Sequence, residues 1–250
     1  MSRNLKVYDI ESYINYFSVI FKEYKKNIYH TFRIFTHNGK IIRHDGQKIR
    51  NFVKSQQDLE LIGYNNLHYD RVMLYAVVTY PNISPKKLND LSKLLITDRE
   101  KLSKDQNDML YNMRYNNDIT WKTIDCMKTM GFDKLGISLK MCAIHLTSKK
   151  IQDLPIPFDH VIKPNEDDVI ILYNKNDVDI NEDIYDAILD EITLREDVSE
   201  FYGVDVRNQS RSGMANKLLT DIYEQESGIS KKELRTYRTT YTSFKVKDCI

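Results

Sequence analysis

The sequence predicts an α/β domain, with a mixed sheet whose N-terminal strands are antiparallel and whose faces are flanked by helices. Three observations carry that prediction. β-type runs follow one another through the first 35 residues, two further short apolar runs lie at 59–64 and 120–125, and helical periodicity fills much of the remainder. LKVYDI at 5–10 reads as a central strand. FSVIFKEY at 17–24 alternates, with Phe17, Val19 and Phe21 on one side, and IYHTFRIF at 28–35 is its antiparallel partner. HNGKI at 37–41 gives a turn at Asn38-Gly39, which completes a three-strand meander. Residues 49–58 form a short helix, 59–64 (LELIGY) return to a strand, and Asp70 opens an apolar helix. Helices at 85–102 and 105–115 follow, with Ser103 as the cap between them. TWKTID at 120–125 is the fifth strand, and 135–146 is a helix from Ser138. The prolines of 153–164 break regular structure. Val169, Leu172, Asn176, Ile180 and Ile184 then recur at helical spacing from about 166 to 188. Beyond 193 the chain turns polar, which predicts a domain over 1–192 and a helical and loop extension over 193–250.

A chain of 250 residues buries a full core, and 41% apolar with 29% charged residues is an ordinary globular balance. Lysine and arginine number 37 against 36 acidic residues, a net charge of +1. That argues against a protein that coats nucleic acid through bulk charge, and any positive groove must be local. Cys126, Cys142 and Cys249 are widely spaced and odd in number, as expected for free thiols in a reducing compartment. No run approaches the roughly 20 apolar residues of a membrane span, so the expected location is the cytoplasm, with no membrane partner.

Four acidic residues in three segments stand out. Asp9 and Glu11 lie two apart in VYDIES, Asp70 ends GYNNLHYD, and Asp177 follows Tyr173 by four in YNKND. Two apart in a strand and four apart in a helix both aim a pair of side chains the same way. Three elements can therefore converge on one pocket of carboxylate oxygens, a setting for divalent cations and phosphoryl chemistry. Taken singly, Asp9 and Glu11 also fit a solvated strand face, Asp70 a helix cap and Asp177 an exposed helix position. Their joint order and spacing is the more specific signal.

In these motifs the chain resembles the DEDD superfamily of 3′–5′ exonucleases, specifically the DEDDy type that forms proofreading domains of family B and phage DNA polymerases. Asp9-Ile10-Glu11 matches the first motif, Asn65 through Tyr69-Asp70 the second, and Tyr173 to Asp177 the third. Ser138-Leu139-Lys140 also fits that group, and the likeness spans about residues 5–190. The resemblance implies a ribonuclease H-like fold and two divalent cations, magnesium or manganese, on Asp9, Glu11, Asp70 and Asp177. It implies attack by a metal-activated water on the terminal phosphodiester, with Tyr173 orienting that water. A phenol with a pKa of about 10 is a poor nucleophile itself. Tyrosine at 173 favours this subclass over the histidine-bearing DEDDh type. The implied substrate is a single-stranded or frayed DNA 3′ end. The implied setting is proofreading during phage or related DNA replication, in the host cytoplasm if phage-encoded, with a polymerase region joined through 193–250 or replication proteins as partners.

Asn65 suits a substrate contact better than a metal ligand. His68 fits either a turn residue or a contact to a substrate phosphate. Asn15, Tyr16 and Phe17 follow the first motif, where they meet a terminal nucleotide by hydrogen bonding and stacking, or else Phe17 packs in the core. Arg207, Arg211 and Lys217 form a modest basic region. Two other functions stand beside the first: a 3′–5′ exoribonuclease, and a non-catalytic nucleic-acid or protein interaction module on the same fold.

Overall fold

The computed structural model describes residues 3–116, 118–131, 135–146 and 151–233. Alternation in the first stretch becomes β1 (Asn4–Tyr13), β2 (Tyr16–Glu23) and β3 (Tyr29–His37), and a fourth strand, β4 (Lys40–His44), extends the meander. The sequence reading stopped at three strands. Asn38 and Gly39 both have positive φ, 50° and 73°, the two-residue loop that returns a strand on its partner. β4 was missed because it is an edge strand without a buried face, with Ile41 and Ile42 exposed.

β5 (Leu59–Gly63) and β6 (Lys122–Asp125) complete a six-stranded sheet in the order β4-β3-β2-β1-β5-β6. The meander pairs are antiparallel, whereas β1–β5 and β5–β6 are parallel. All five residues of β5 are buried, as expected for a strand covered on both faces. On one face, Tyr8, Ile10, Phe17, Val19 and Phe21 pack against α1 (Gly46–Lys54), α2 (Asp70–Thr79) and α3 (Pro85–Ile96). On the other, Val7, Ile20, Ile62 and Ile124 meet α6 (Leu139–Leu146), α7 (Asp167–Ala187) and α8 (Leu189–Tyr202). The four-residue α5 (Cys126–Thr129) follows β6 directly, and Cys126 and Cys142 are free and buried. Cys249 lies outside the described residues.

Local signals placed several ends well. Ser103 caps α4 (Lys104–Arg114) in a reciprocal box with Gln106. Ser138 Oγ accepts the Met141 amide at 3.2 Å at the start of α6. The helix expected over 85–102 stops at Ile96, because Thr97 is extended and turns its hydroxyl back to the Lys93 carbonyl. In α7, Val169 and Leu172 are exposed, and the buried face instead runs through Ile170, Tyr173, Asp177, Ile180 and Ile184.

The expected boundary at 192/193 does not divide the packed core. α8 runs unbroken across it, and Ile188 and Ile192 belong to the cluster beneath α7. Arg195 is fully buried, and Asn208 bonds both the Thr123 carbonyl and the Asp125 amide of β6. α9 (Arg211–Ser227) contributes no buried residue. The extension beyond 233 lies outside the described residues. No helix among the described residues is long and apolar enough to cross a membrane.

Candidate metal centre

The sheet itself opens the site. β1 pairs with β5 only over Asn4–Val7, although it continues to Tyr13. Past Val7 the β5 chain leaves the sheet, runs through 64–69 and enters α2 at Asp70. A crevice therefore forms at the carboxyl ends of the parallel strands, where open α/β sheets place their ligands. Asp9 and Glu11 lie in the part of β1 that has lost β5, still paired on the other side with Ile20 and Ser18. They share the parity of Val7, which faces α7. α7 covers that face and brings Tyr173 and Asp177, one turn apart, over it.

One carboxylate oxygen from each of Asp9, Glu11 and Asp177 falls within 4.8 Å of the other two. Asp70 stands outside that trio but lines the same cavity, of about 520 Å3, with Asn65, His68, Ser138 and Leu139 on its walls. Asp70 is the first residue of α2, with Tyr69 in the cap position. The Ile10 amide of β1 favours its ionised form, which places the carboxylate near that strand.

Bringing four carboxyls together, Asp70 and Asp177 buried and Asp9 and Glu11 half-buried, has a clear electrostatic signature. Burial, followed by Asp177 and Asp70, pushes Glu11 up to about 8. Asp70 rises to about 8 and Asp177 to about 6, each chiefly through burial. Asp9 is held well above the usual carboxylate range by burial and by Asp70, Glu11 and Asp177. Burial, followed by Asp177 and Glu11, raises the pKa of the Tyr173 hydroxyl, so it stays protonated. Among the described residues, the cation that draws Glu11 and Asp177 back down is Lys140. Its Nζ lies 5.3 Å from the centroid of the Tyr173 ring and 3.9 Å from Asp153.

Such repulsion is removed by a divalent cation, which favours the ionised forms. The donor set fits one. It is all carboxylate oxygen, the ligand type of magnesium and manganese, and Asp177 Oδ1 is buried with no hydrogen-bond partner among the described residues. No family model and no curated protein matches this chain. The centre therefore rests on its own geometry.

Three expected substrate residues are corrected. Tyr16 is fully buried, with its hydroxyl donated to Asp167 at 2.7 Å. Phe17 is fully buried in the cluster under α1 and α2, because its side chain takes the core parity of β2. It has no face to offer a base. The Asn15 amide is committed to backbone, donating to Thr36 O at 2.6 Å and Ile162 O at 2.9 Å and accepting from Ile162 N at 2.8 Å. It pins the irregular 151–163 segment to the β1–β2 turn.

Two residues that sequence reasoning passed over help to build the pocket. Asp125, buried at the end of β6, accepts the amides of Asn65 at 3.0 Å and Leu67 at 3.1 Å. It thereby holds Asn65 at φ +57°. Asn66 adds a bond to Ile124 O, and its amide would lie 2.9 Å from any Cβ on Gly63, so the strand must end in glycine there. Together these fix the loop that delivers Asp70. The signal was an acidic residue closing an apolar strand. Lys140 was visible only as part of Ser138-Leu139-Lys140.

Proposed function

We propose that the chain is a metal-dependent 3′–5′ exonuclease acting on DNA 3′ ends, on a sheet of the ribonuclease H-like kind. The observation that carries this reading is the meeting of Asp9, Glu11 and Asp177 within one ion's reach, with Asp70 in the same cavity and Tyr173 one helical turn before Asp177. Asp9, Glu11 and Asp177 would hold one cation, and Asp70 with Asp9 a second. Bound there, magnesium or manganese would supply a water of lowered pKa and neutralise charge at the phosphate and the leaving 3′ oxygen.

The chain's own groups do the rest. Tyr173, kept protonated, donates a hydrogen bond and orients the attacking water. Lys140, beside the tyrosine ring, balances the negative charge of Glu11 and Asp177. Asn65 and His68 sit on the wall where a terminal nucleotide would enter. A cavity of about 520 Å3 suits one nucleotide, so an unpaired or frayed end enters where a duplex does not. Proofreading in DNA replication, beside a polymerase region or replication proteins, is the setting this reading implies.

A 5′-labelled DNA oligonucleotide incubated with magnesium or manganese tests it. The expected product is a ladder shortened from the 3′ end, lost with EDTA and in Asp9→Ala. A folded protein that releases no mononucleotide would defeat the reading. Faster shortening of the matching RNA would reassign the chain as an exoribonuclease, and metal-independent binding without cleavage would favour an interaction module.

A further inference from the structure

The 64–71 segment borders two cavities. Asn65, His68 and Asp70 line the acidic pocket, whereas Leu67 and Arg71 line another of about 450 Å3, closed by the end of α4, by α5 and by the start of α9. Its charge is opposite in sign. Arg71, Arg114, Lys128 and Lys217 all line it, against a single carboxylate, Asp205, which is already bonded by the Arg207 guanidinium at 2.8 and 2.9 Å. In a chain of net charge +1, that concentration of cations is local.

Arg114 is only 8% exposed. Arg71 donates Nη1 to the uncharged Thr123 hydroxyl at 3.1 Å, and its Nε is buried with no hydrogen-bond partner among the described residues. Desolvating a guanidinium against a neutral hydroxyl is costly unless an anion completes the site. The amino end of α9, a helix of 17 residues, reaches the same cavity through Ser210 and Gly213 and adds its positive pole. Tyr115, 58% exposed, stands on the wall with its ring 4.8 Å from that of Tyr111. An aromatic face beside arginine forks matches a base carried on a phosphate, and a forked guanidinium recognises phosphate oxygens two at a time.

We propose that this cavity is a phosphate-binding site for nucleotides, held either as a free nucleoside monophosphate or within a strand. It is separate from the acidic pocket and does not depend on the nuclease reading.

The full-length protein in EDTA, where no metal can recruit phosphate to the carboxylates, is titrated with three probes. These are inorganic phosphate, deoxyadenosine 5′-monophosphate and a fluorescein-labelled oligothymidylate, followed by calorimetry or anisotropy. Saturable binding of the mononucleotide identifies the free source, and binding of the oligonucleotide alone identifies the strand. In either case Arg71→Gln and Lys217→Gln should each weaken binding about 10-fold. On the oligonucleotide, each should lower the slope of log K against log salt by about 1. Thermal melting checks the fold of Arg71→Gln, and Lys217→Gln lies on a helix without buried residues, so its fold is not at risk. Failure of all three probes to bind, or binding that neither substitution weakens, overturns the proposal. A negative nuclease assay leaves this titration unaffected, since neither metal nor cleavage enters it.

Discussion

Tyr173 and Asp177 lie one helical turn apart yet serve the pocket differently. Phenylalanine at 173 keeps the ring over which Lys140 sits and deletes only the hydroxyl. Cleavage should slow roughly 10- to 1000-fold, about 1.4–4 kcal/mol of transition-state stabilisation, with metal affinity unchanged. Asp177→Asn should weaken metal binding and rate together, because it neutralises one of the three clustered carboxylates. Hydrolysis rates across a magnesium titration separate the two, and rescue of Tyr173→Phe by added magnesium would place the tyrosine in the metal site instead. The carboxyls also set a pH dependence. Glu11 and Asp70, raised to about 8, and Asp177, raised to about 6, bind protons more tightly folded than unfolded. Their stabilisation of the metal-free protein is thus full below about pH 4, where the unfolded groups also protonate, and is lost as pH rises towards 8. Magnesium competes with those protons. The rise in Tm on adding magnesium should therefore grow from pH 5 to pH 8, and a pH-independent rise would show that these groups do not share a metal.

The irregular 151–163 segment leads into α7, and its position rests on few contacts. Ile156 and Ile162 bury against Tyr13, Tyr16, Phe35 and Ile170, and Asn15 supplies three bonds to backbone. The Tyr16 hydroxyl then reaches Asp167 at 2.7 Å in the first turn of α7. Asn15→Ala leaves the Ile162 amide and the Thr36 carbonyl to find new partners, while Ile162 O keeps His37 Nδ1 at 3.2 Å, a loss of about 1–3 kcal/mol. Hydrogen exchange at the Ile162 amide should speed up and Tm should fall. Unchanged protection there would mean that the isoleucines and the His37 contact to Ile162 O hold the segment without Asn15. Elements of this kind are poorly legible beforehand, since an asparagine between two strands reads as an ordinary turn residue.

At the scale of the molecule, the stretch from 188 to 210 closes the edge of the sheet. β6 ends the strand order, and the Asn208 side chain pairs with the Thr123 carbonyl and the Asp125 amide much as another strand would. Arg195 ties that stretch down, donating to Gln209 O at 2.7 Å, Thr129 O at 2.9 Å and Glu191 O at 2.6 Å. Arg195→Met keeps apolar volume but strands these carbonyls, a cost of about 3 kcal/mol and roughly 6–12 °C in Tm. A melting curve equal to that of the unmodified protein would return 193–210 to the status of an appendage. If Asp125 shifts with Asn208, the same variant should also lower magnesium affinity, because Asp125 positions the loop before Asp70.

The sequence alone determined whatever is set inside a short window. Strand parity aligned Asp9 with Glu11, one helical turn aligned Tyr173 with Asp177, and the hydroxyls of Ser103 and Ser138 marked helix starts. Periodicity of 2 or 3.6 fixes which side chains share a face, and it needs no knowledge of the partner. Tertiary structure decided which faces meet. It laid α7 on the Asp9 side of β1, set Asp70 in the same cavity as the trio, and sent Phe17 and Asn15 to core and scaffold. α8 escaped notice because only Ile192 and Arg195 are buried along it, too few for a periodic signal. Lys140, Asp125 and Arg195 act on groups far away in the chain, and a local pattern that marks such a residue does not say what it meets.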